Sequence, residues 1–469
     1  MRKLLLATVA ALGASMGVAT VADAQTAAPA PGTVTIRLNG RFRFYGAVVS
    51  DQQADNSIVN PTNNGVSTLA TGSNKQSNYT FGNFARLYPG FDGVAANGLK
   101  YGASLEIRQD QVSGAGGGAA GGISAQDRAR GGLYFRREWG YIGTDQLGTI
   151  RFGSTDQPSS LYMTGNFENF NDGGLNGDVP SMLSQNLSVT WPFADVGNYY
   201  TTTKAIYLSP QFYGLDFGVS YEPNTGNMSI QNNCGTGAGS TNNTQGISGP
   251  GCDRLEASPS NAESGRRRNT IDALLRYRGT FGGFGVAATA GYIGGGHVLD
   301  NQTGVAFNSN RTNGAPVRDN FDGLDIGDFG VALTYGGFSV GGKYMYGRFN
   351  GQWSLAPKGV ASGEGILGGF SYTIGPVVLG AHYLDYKSAG DIGNAVLGRQ
   401  RREQGVAAGA TYSLAPGLSL FASYVYNQRK QNGFNFLTGA GVSAAAPGGA
   451  TANNKVTSQI FALGTAFSW

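Results

Sequence analysis

Arg37, Arg41 and Arg43 stand on one parity of a single segment, together with Thr35, Asn39 and Tyr45. A guanidinium stays charged at any ordinary pH, so this spacing supplies fixed positive charge and hydrogen-bond donors rather than proton transfer. Residues suited to covalent chemistry are scarce. Only two histidines occur, His297 and His382, and no G-x-S-x-G motif lies beside a usable base, which argues against an enzyme. Cys234 and Cys252 have neither C-x-x-C spacing nor a neighbouring histidine, so no metal site is expected from them. In an exported chain they would instead form a disulfide closing a Gly/Asn/Ser-rich loop, contributing on the order of 3 kcal/mol. Glycine runs such as Gly294-Gly295-Gly296 do not join a strand to a helix, so no nucleotide cradle is expected, and no cofactor is implied.

The element that must carry those arginines follows from their spacing. A helix would scatter them around its circumference, whereas a strand gathers them on one side and leaves Val34, Ile36, Leu38, Phe42, Phe44 and Val48 on the other. This period of two recurs along the chain, in pairs of segments joined by tight turns. Tyr79–Val94 meets Leu99–Asp110 through the Asn97-Gly98 turn, and Leu133–Gly143 meets Gly148–Ser154. Further hairpins turn at Tyr213-Gly214, Gly282-Gly283, Gly336-Gly337, Gly375-Pro376 and Pro416-Gly417. Long polar connections separate the pairs, the third running from Thr155 to Tyr200. Eight long loops and seven short turns connect sixteen strands, which predicts an all-β chain. One local conflict stands out: Arg136 and Arg137 cannot both face water unless the strand bulges there.

Composition says where such strands can live. The chain opens with Arg2 and Lys3, an apolar run from Leu4 to about Val21, and Ala22-Asp23-Ala24, the order of a secretory signal peptide cut after Ala24. Residues 25–32 then form a short periplasmic segment, and 33–469 one domain. No later stretch is long and apolar enough for a membrane helix, yet 25 Phe, 23 Tyr and 4 Trp accompany 77 Gly and only 13% charged residues. A closed transmembrane antiparallel β-barrel reconciles these facts, because each strand shows lipid an apolar face and water a polar one. A β-solenoid or surface adhesin would need a fixed repeat, and none is present.

The last segment, Gln459 to Trp469, puts Phe461, Leu463, Phe467 and Trp469 on one parity. It resembles the C-terminal assembly signal of Gram-negative outer-membrane barrels, with Phe467 and Trp469 as the aromatics and Trp in place of the usual final Phe. Taken from Thr33 to Trp469, the chain resembles the sixteen-stranded general porins of the alphaproteobacterial type. The strand pattern, the opening Gly40-Arg41-Phe42-Arg43-Phe44-Tyr45-Gly46, the long third loop and the aromatic end carry that resemblance. It implies an outer-membrane channel for passive diffusion of small hydrophilic solutes and ions. The implied partners are the barrel assembly machinery, outer-membrane lipid with lipopolysaccharide, and two further copies of the chain in a homotrimer. Nucleic acid is not among them, and Arg266-Arg267-Arg268, at a loop-to-strand junction, suits lipopolysaccharide phosphates or plain solvation.

In general porins the third loop folds into the barrel and sets its acids against a basic wall. By parity the wall here is Arg37, Arg41, Arg43, Arg86, Arg108 and Arg151, and the loop supplies Glu168, Asp172 and Asp178. Phe167, Phe170, Leu175, Trp191 and Phe193 would pack the loop down, and both histidines are read as solvated wall or rim residues. Counted by parity, inward cations and acids nearly cancel, predicting weak ion selectivity with a transverse field. A sugar- or phosphate-selective porin is the alternative, with an outer-membrane barrel enzyme further behind.

Overall fold

The computed structural model describes residues 30–469 except 52–58, 62–66, 70–77, 111–132, 184–186, 194–201, 225–266, 298–301, 304–315, 318–320, 391–399, 433, 437–439 and 442–453. The expected leader up to Ala24, and Cys234 with Cys252, lie outside the described residues. Sixteen antiparallel strands close into a barrel: β1 (Thr33–Asp51), β2 (Tyr79–Val94), β3 (Lys100–Asp110), β4 (Tyr134–Thr144), β5 (Gly148–Ser154), β6 (Thr203–Leu208), β7 (Leu215–Asn224) and β8 (Arg267–Phe281). The second half comprises β9 (Phe284–His297), β10 (Leu324–Tyr335), β11 (Phe338–Arg348), β12 (Gly363–Ile374), β13 (Val377–Ser388), β14 (Arg401–Ala415), β15 (Leu418–Lys430) and β16 (Lys455–Ser468). Among the described residues no helix is long and apolar enough to cross a membrane.

Each strand pairs with its sequence neighbour, and β1 pairs with both β2 and β16, which removes every free edge. At the seam Gly40 and Trp469 exchange backbone hydrogen bonds of 3.1 and 3.2 Å. Turn chemistry fixes the register. Gly98 takes a left-handed φ of +82°, and Gly282 and Gly283 do the same in the two-residue β8–β9 turn, whose backbone twist matches that of the strands.

The facings on β1 match the alternation: Val34, Ile36, Leu38, Phe44 and Val48 are exposed outward, while Tyr45, Ala47 and Val49 are buried inward. Two bulges break the period. Glu106 pairs with Arg137 and Ile107 with Phe135, so Arg136 is the extra residue and both arginines reach the interior. On β8 the register slips between Arg268 and Ile271, with Asn269 at a φ of +50°. That slip puts Arg267, rather than the Arg268 that parity alone selects, into the inner row.

The core lies inside the barrel. From β9 to β16 the inner face is not the wet wall expected of alternation: Ile293, Ile326, Leu367, Leu384, Val425 and Ile460 are all buried there. The described part of the third loop lies on this face: Leu175 and Val189 pack at Gly405 of β14, Pro192 and Phe193 at Gly365 of β12, and Leu187 accepts from Ser458 of β16. Toward the long-loop end Phe349, Trp353, Leu355 and Phe436 add a second buried layer.

Candidate functional site

The third loop runs around the interior rather than standing free in it. It starts with a short helix, α1 (Pro158–Leu161), which Ser159 ties to Asp272 of β8 through its backbone N–H (3.0 Å) and its hydroxyl (2.5 Å). Gly165 then passes so close to β11 that a β-carbon on it would sit 2.0 Å from the Gly342 carbonyl oxygen. Phe170 lies over Gly380 of β13, where a β-carbon would meet its ring at 2.2 Å. Asn171 donates to Ser423 of β15 (3.1 Å), and Asn169 donates to Ser371 of β12 (3.1 Å). Phe167, Phe170, Leu175, Trp191 and Phe193 are buried, as the sequence suggests, and glycines make room for them, Gly369 beside Phe167, Gly380 beneath Phe170 and Gly405 beneath Leu175.

His382 of β13 is not a solvated wall residue. It is 2% exposed and bridges two points of the loop: Leu175 N–H donates to Nε2 (3.0 Å), and Nδ1 lies 2.9 Å from the Phe167 carbonyl. An N–H donor on one side and a carbonyl acceptor on the other select the neutral Nδ1–H tautomer. Phe170 and Trp191 pack against the ring at centroid distances of 5.4 and 5.7 Å.

At its far end the loop reaches the arginines of β1 and β2. Asp178 accepts from Arg86 (2.6 Å) and Arg43 (2.9 Å), lies 3.7 Å from Arg41, and accepts from the Tyr45 hydroxyl (3.0 Å). Arg41 stands directly opposite Arg86, and Arg86 opposite Arg108. Like charges in register repel, so the row needs an anion between its members, and the loop delivers one. Arg108 belongs to a second group. Glu106, 2% exposed, accepts from Arg108, Arg137 and Arg136, the last at 2.9 Å, and Arg137 also bonds Asp156. Six guanidiniums along β1–β4 thus gather around Asp178, Glu106 and Asp156.

Arg37 and Arg151 are not brought to the loop acids. Arg37 pairs with Asp92 at 2.6 Å, beside the Tyr141 hydroxyl, and Arg151 stacks on Trp139 with its guanidinium carbon 3.8 Å from the ring centroid. Arg136 and Arg137 were absent from the parity-based wall. Their adjacency was the available signal, since only a bulge lets both turn inward.

The three loop acids differ. Burial alone would raise the Asp178 carboxyl, but Arg86, Arg43 and Arg41 outweigh it and hold the group well below the usual range. Asp172 is pushed up to about 6, chiefly by burial, with Arg43 opposing and Asp178 adding to the rise. Its Oδ2 accepts from Val179 N–H at 2.7 Å, and its backbone carbonyl accepts from Arg43 at 3.1 Å. Glu168 does not meet an arginine. Its carboxylate accepts from Asn166 (3.3 Å) and Asn176 (3.2 Å), and burial pushes it up to about 7.

Arg267, expected near lipid phosphates or solvent, is instead 2% exposed. It pairs with Glu222 at 3.4 Å and donates to the Trp353 carbonyl at 3.2 Å. Among the described residues no group of histidine, cysteine and carboxylate side chains has the makings of a metal site.

A model of the Gram-negative porin family matches residues 7–432. No curated protein sequence gives a significant match. Among solved structures, the anion-selective porin from Comamonas acidovorans aligns at a TM-score of 0.51 and 14% identity, covering 93% of this chain and 100% of that one. A triple mutant of the Rhodopseudomonas blastica porin aligns at 0.45 and 13%, with the same coverage. The Comamonas likeness bears on the fold alone. With the family matched over most of its length and a closed barrel of sixteen antiparallel strands, this chain belongs to the Gram-negative porins and forms an outer-membrane channel.

Proposed function

We propose that this porin passes small hydrophilic solutes and ions by passive diffusion, without catalysis or cofactor, and that its narrowest section favours anions. One observation carries the preference: six arginines of β1–β4, Arg41, Arg43, Arg86, Arg108, Arg136 and Arg137, gather around Asp178, Glu106 and Asp156 and crowd one side of the lumen with fixed positive charge. Glu168 and Asp172, the acids that would offset the surplus, are those whose ionisation burial opposes. A surplus of fixed positive charge inside low-dielectric walls concentrates anions along the path.

In this reading Arg41, Arg43, Arg86 and Arg108, with Asp178 opposite, form the constriction. Arg37 and Arg151 line the vestibule toward the short turns. Asp172 and Glu168 shape the loop and modulate its charge. The same proposal includes export through a leader ending at Ala24, assembly directed by Phe467 and Trp469, a homotrimer, and a Cys234–Cys252 disulfide in the fourth long loop. Reversal potentials across planar bilayers in a potassium chloride gradient test the selectivity. A potential on the chloride side supports it, and one at zero or on the potassium side overturns it.

A further inference from the structure

Both ends of the third loop are held by one buried ammonium. Lys204 of β6 donates to the Thr155 carbonyl (2.7 Å), where the loop leaves β5, and to the Thr202 carbonyl (2.9 Å), where it returns to β6. An ammonium has three donors, and two of them go to the two stems. Ala205 stands opposite Tyr221 across β6 and β7, and the next step in that register sets Lys204 beside Glu222. Glu222 also accepts from the Thr202 hydroxyl. The stems are thus gripped by a buried cation and a buried carboxylate at once.

The chain of contacts continues outward. Glu222 pairs with Arg267, and Arg267 donates to the carbonyl of Trp353 in the loop between β11 and β12, residues 349–362. That loop folds into the mouth, with Phe349, Trp353 and Leu355 all buried. On its other side the Tyr386 hydroxyl of β13 donates to the Gly351 carbonyl (2.7 Å), and Asn350 joins Gly390 through two bonds of 2.9 Å. The segment therefore straps the inside of the mouth between β8 and β13. It is strained where Arg267 holds it. Trp353 takes a left-handed φ of +60°, which a bulky side chain adopts only at a cost, and its buried indole N–H meets no acceptor among the described residues.

We propose that Lys204 is a positioning residue for the constriction, and that Glu222, Arg267 and Trp353 extend its grip to the outer mouth, so that the strap and the third loop shift together. The inference rests on the channel reading and adds a control point remote from Asp178. The stems have leverage: they leave adjacent strands, whereas the far end of the loop meets Arg43 and Arg86 across the lumen, so a small shift at the stems is magnified at the aperture. Thr155, Thr202, Lys204, Glu222, Arg267 and Trp353 are each at most 5% exposed, and in such surroundings losing one partner strands the next. Strain at Trp353 makes the outer end the link that yields first. Anything that frees Trp353 at the mouth then loosens the third loop without touching it.

The test records single channels and reversal potentials of the full-length protein in planar bilayers. Lys204→Met should raise the frequency of brief closures about tenfold, the effect of losing two buried hydrogen bonds, and should shift the reversal potential. Lys204→Arg, whose guanidinium can still donate to both carbonyls, should restore both readings. Trp353→Gly suits the left-handed backbone and lies on the strap rather than on the third loop, yet it should also raise the closure frequency. In Lys204→Met/Trp353→Gly closures should be no more frequent than in Lys204→Met alone, because the link between strap and loop is already cut. If Lys204→Met does not reach the heat-modifiable folded form, Glu222→Gln takes its place with the same expected results. Wild-type records in Lys204→Met, or no rescue by Lys204→Arg, overturn the positioning role. Effects that multiply in the double variant overturn the coupling to the mouth. A wild-type protein that never conducts overturns the channel reading itself.

Discussion

Trp469 packs its indole at Gly40, so close that a β-carbon there would overlap the ring. Glycine at this seam position is therefore a matter of space, and it lets the last residue of the chain bond the first strand. Gly40→Val should push the indole off the seam and destabilise closure by about 1–3 kcal/mol, the cost typical of overpacking. Heat-modifiable gel migration would show it as a lower transition temperature, and a less folded fraction after refolding into detergent.

The arginine–carboxylate groups predict opposite shifts from opposite substitutions. Arg41→Ser with Arg43→Ser removes two of the six wall cations and should move the reversal potential toward potassium. Asp178→Asn should move it further toward chloride. Asp178 is also the shared partner of three guanidiniums that are only 11–12% exposed, so its loss should weaken the loop's hold by at most about 3 kcal/mol. Unchanged potentials in both variants would place the narrowest section elsewhere.

Selectivity should depend on pH through the loop. Glu168 and Asp172 are ionised above about 7 and about 6 and neutral below those values, burial being the main cause of both rises. Lowering the pH from about 8 to about 5 therefore removes up to two negative charges from the lumen, and anion preference should grow. In Glu168→Gln/Asp172→Asn the anion preference should already be high at alkaline pH and change little over that window. A wild-type profile retained in this variant would assign the titration to other groups.

His382 predicts a change in noise rather than in selectivity. His382→Phe keeps an aromatic ring between Phe170 and Trp191 but loses the bonds to Phe167 and Leu175, each worth about 1 kcal/mol. Single-channel records should show more frequent short closures with the reversal potential unmoved. Quiet records would mean that apolar packing alone seats the loop.

The strands and turns were legible because alternation and turn chemistry are local. Tyr79–Val94 and Gly148–Ser154 match the observed strands, and each glycine-marked turn lies where its sequence puts it. What alternation cannot tell is whether an inner face is wet. On β12–β16 both parities carry apolar residues, and Leu367, Leu384, Val425 and Ile460 become core only because a segment from elsewhere in the chain lies on them. The loop acids failed in part for a similar reason. Glu168, Asp172 and Asp178 share charge and location, but Gly173, at a φ of +119°, helps reverse the chain so that Asp178 reaches Arg86 while Glu168 is left among asparagines. That reversal depends on the seating of Phe170 and Leu175, a long-range fit with no local signature.

The seating of the loop on the Gly342 carbonyl and on Gly380 makes circumference and aperture separate design variables. Sixteen strands set the size of the cylinder, while one internal segment sets the free cross-section by how deeply it beds into the wall. Aperture can then be retuned by single substitutions along that segment, with no strand added or removed. Widening has a limit: excising the segment would uncover a greasy strip, Ile326 through Ile460, along half the bore, and water would not wet it. An enlarged version of this channel would have to replace those side chains with polar ones at the same time, or the widened bore would dewet and close to ions.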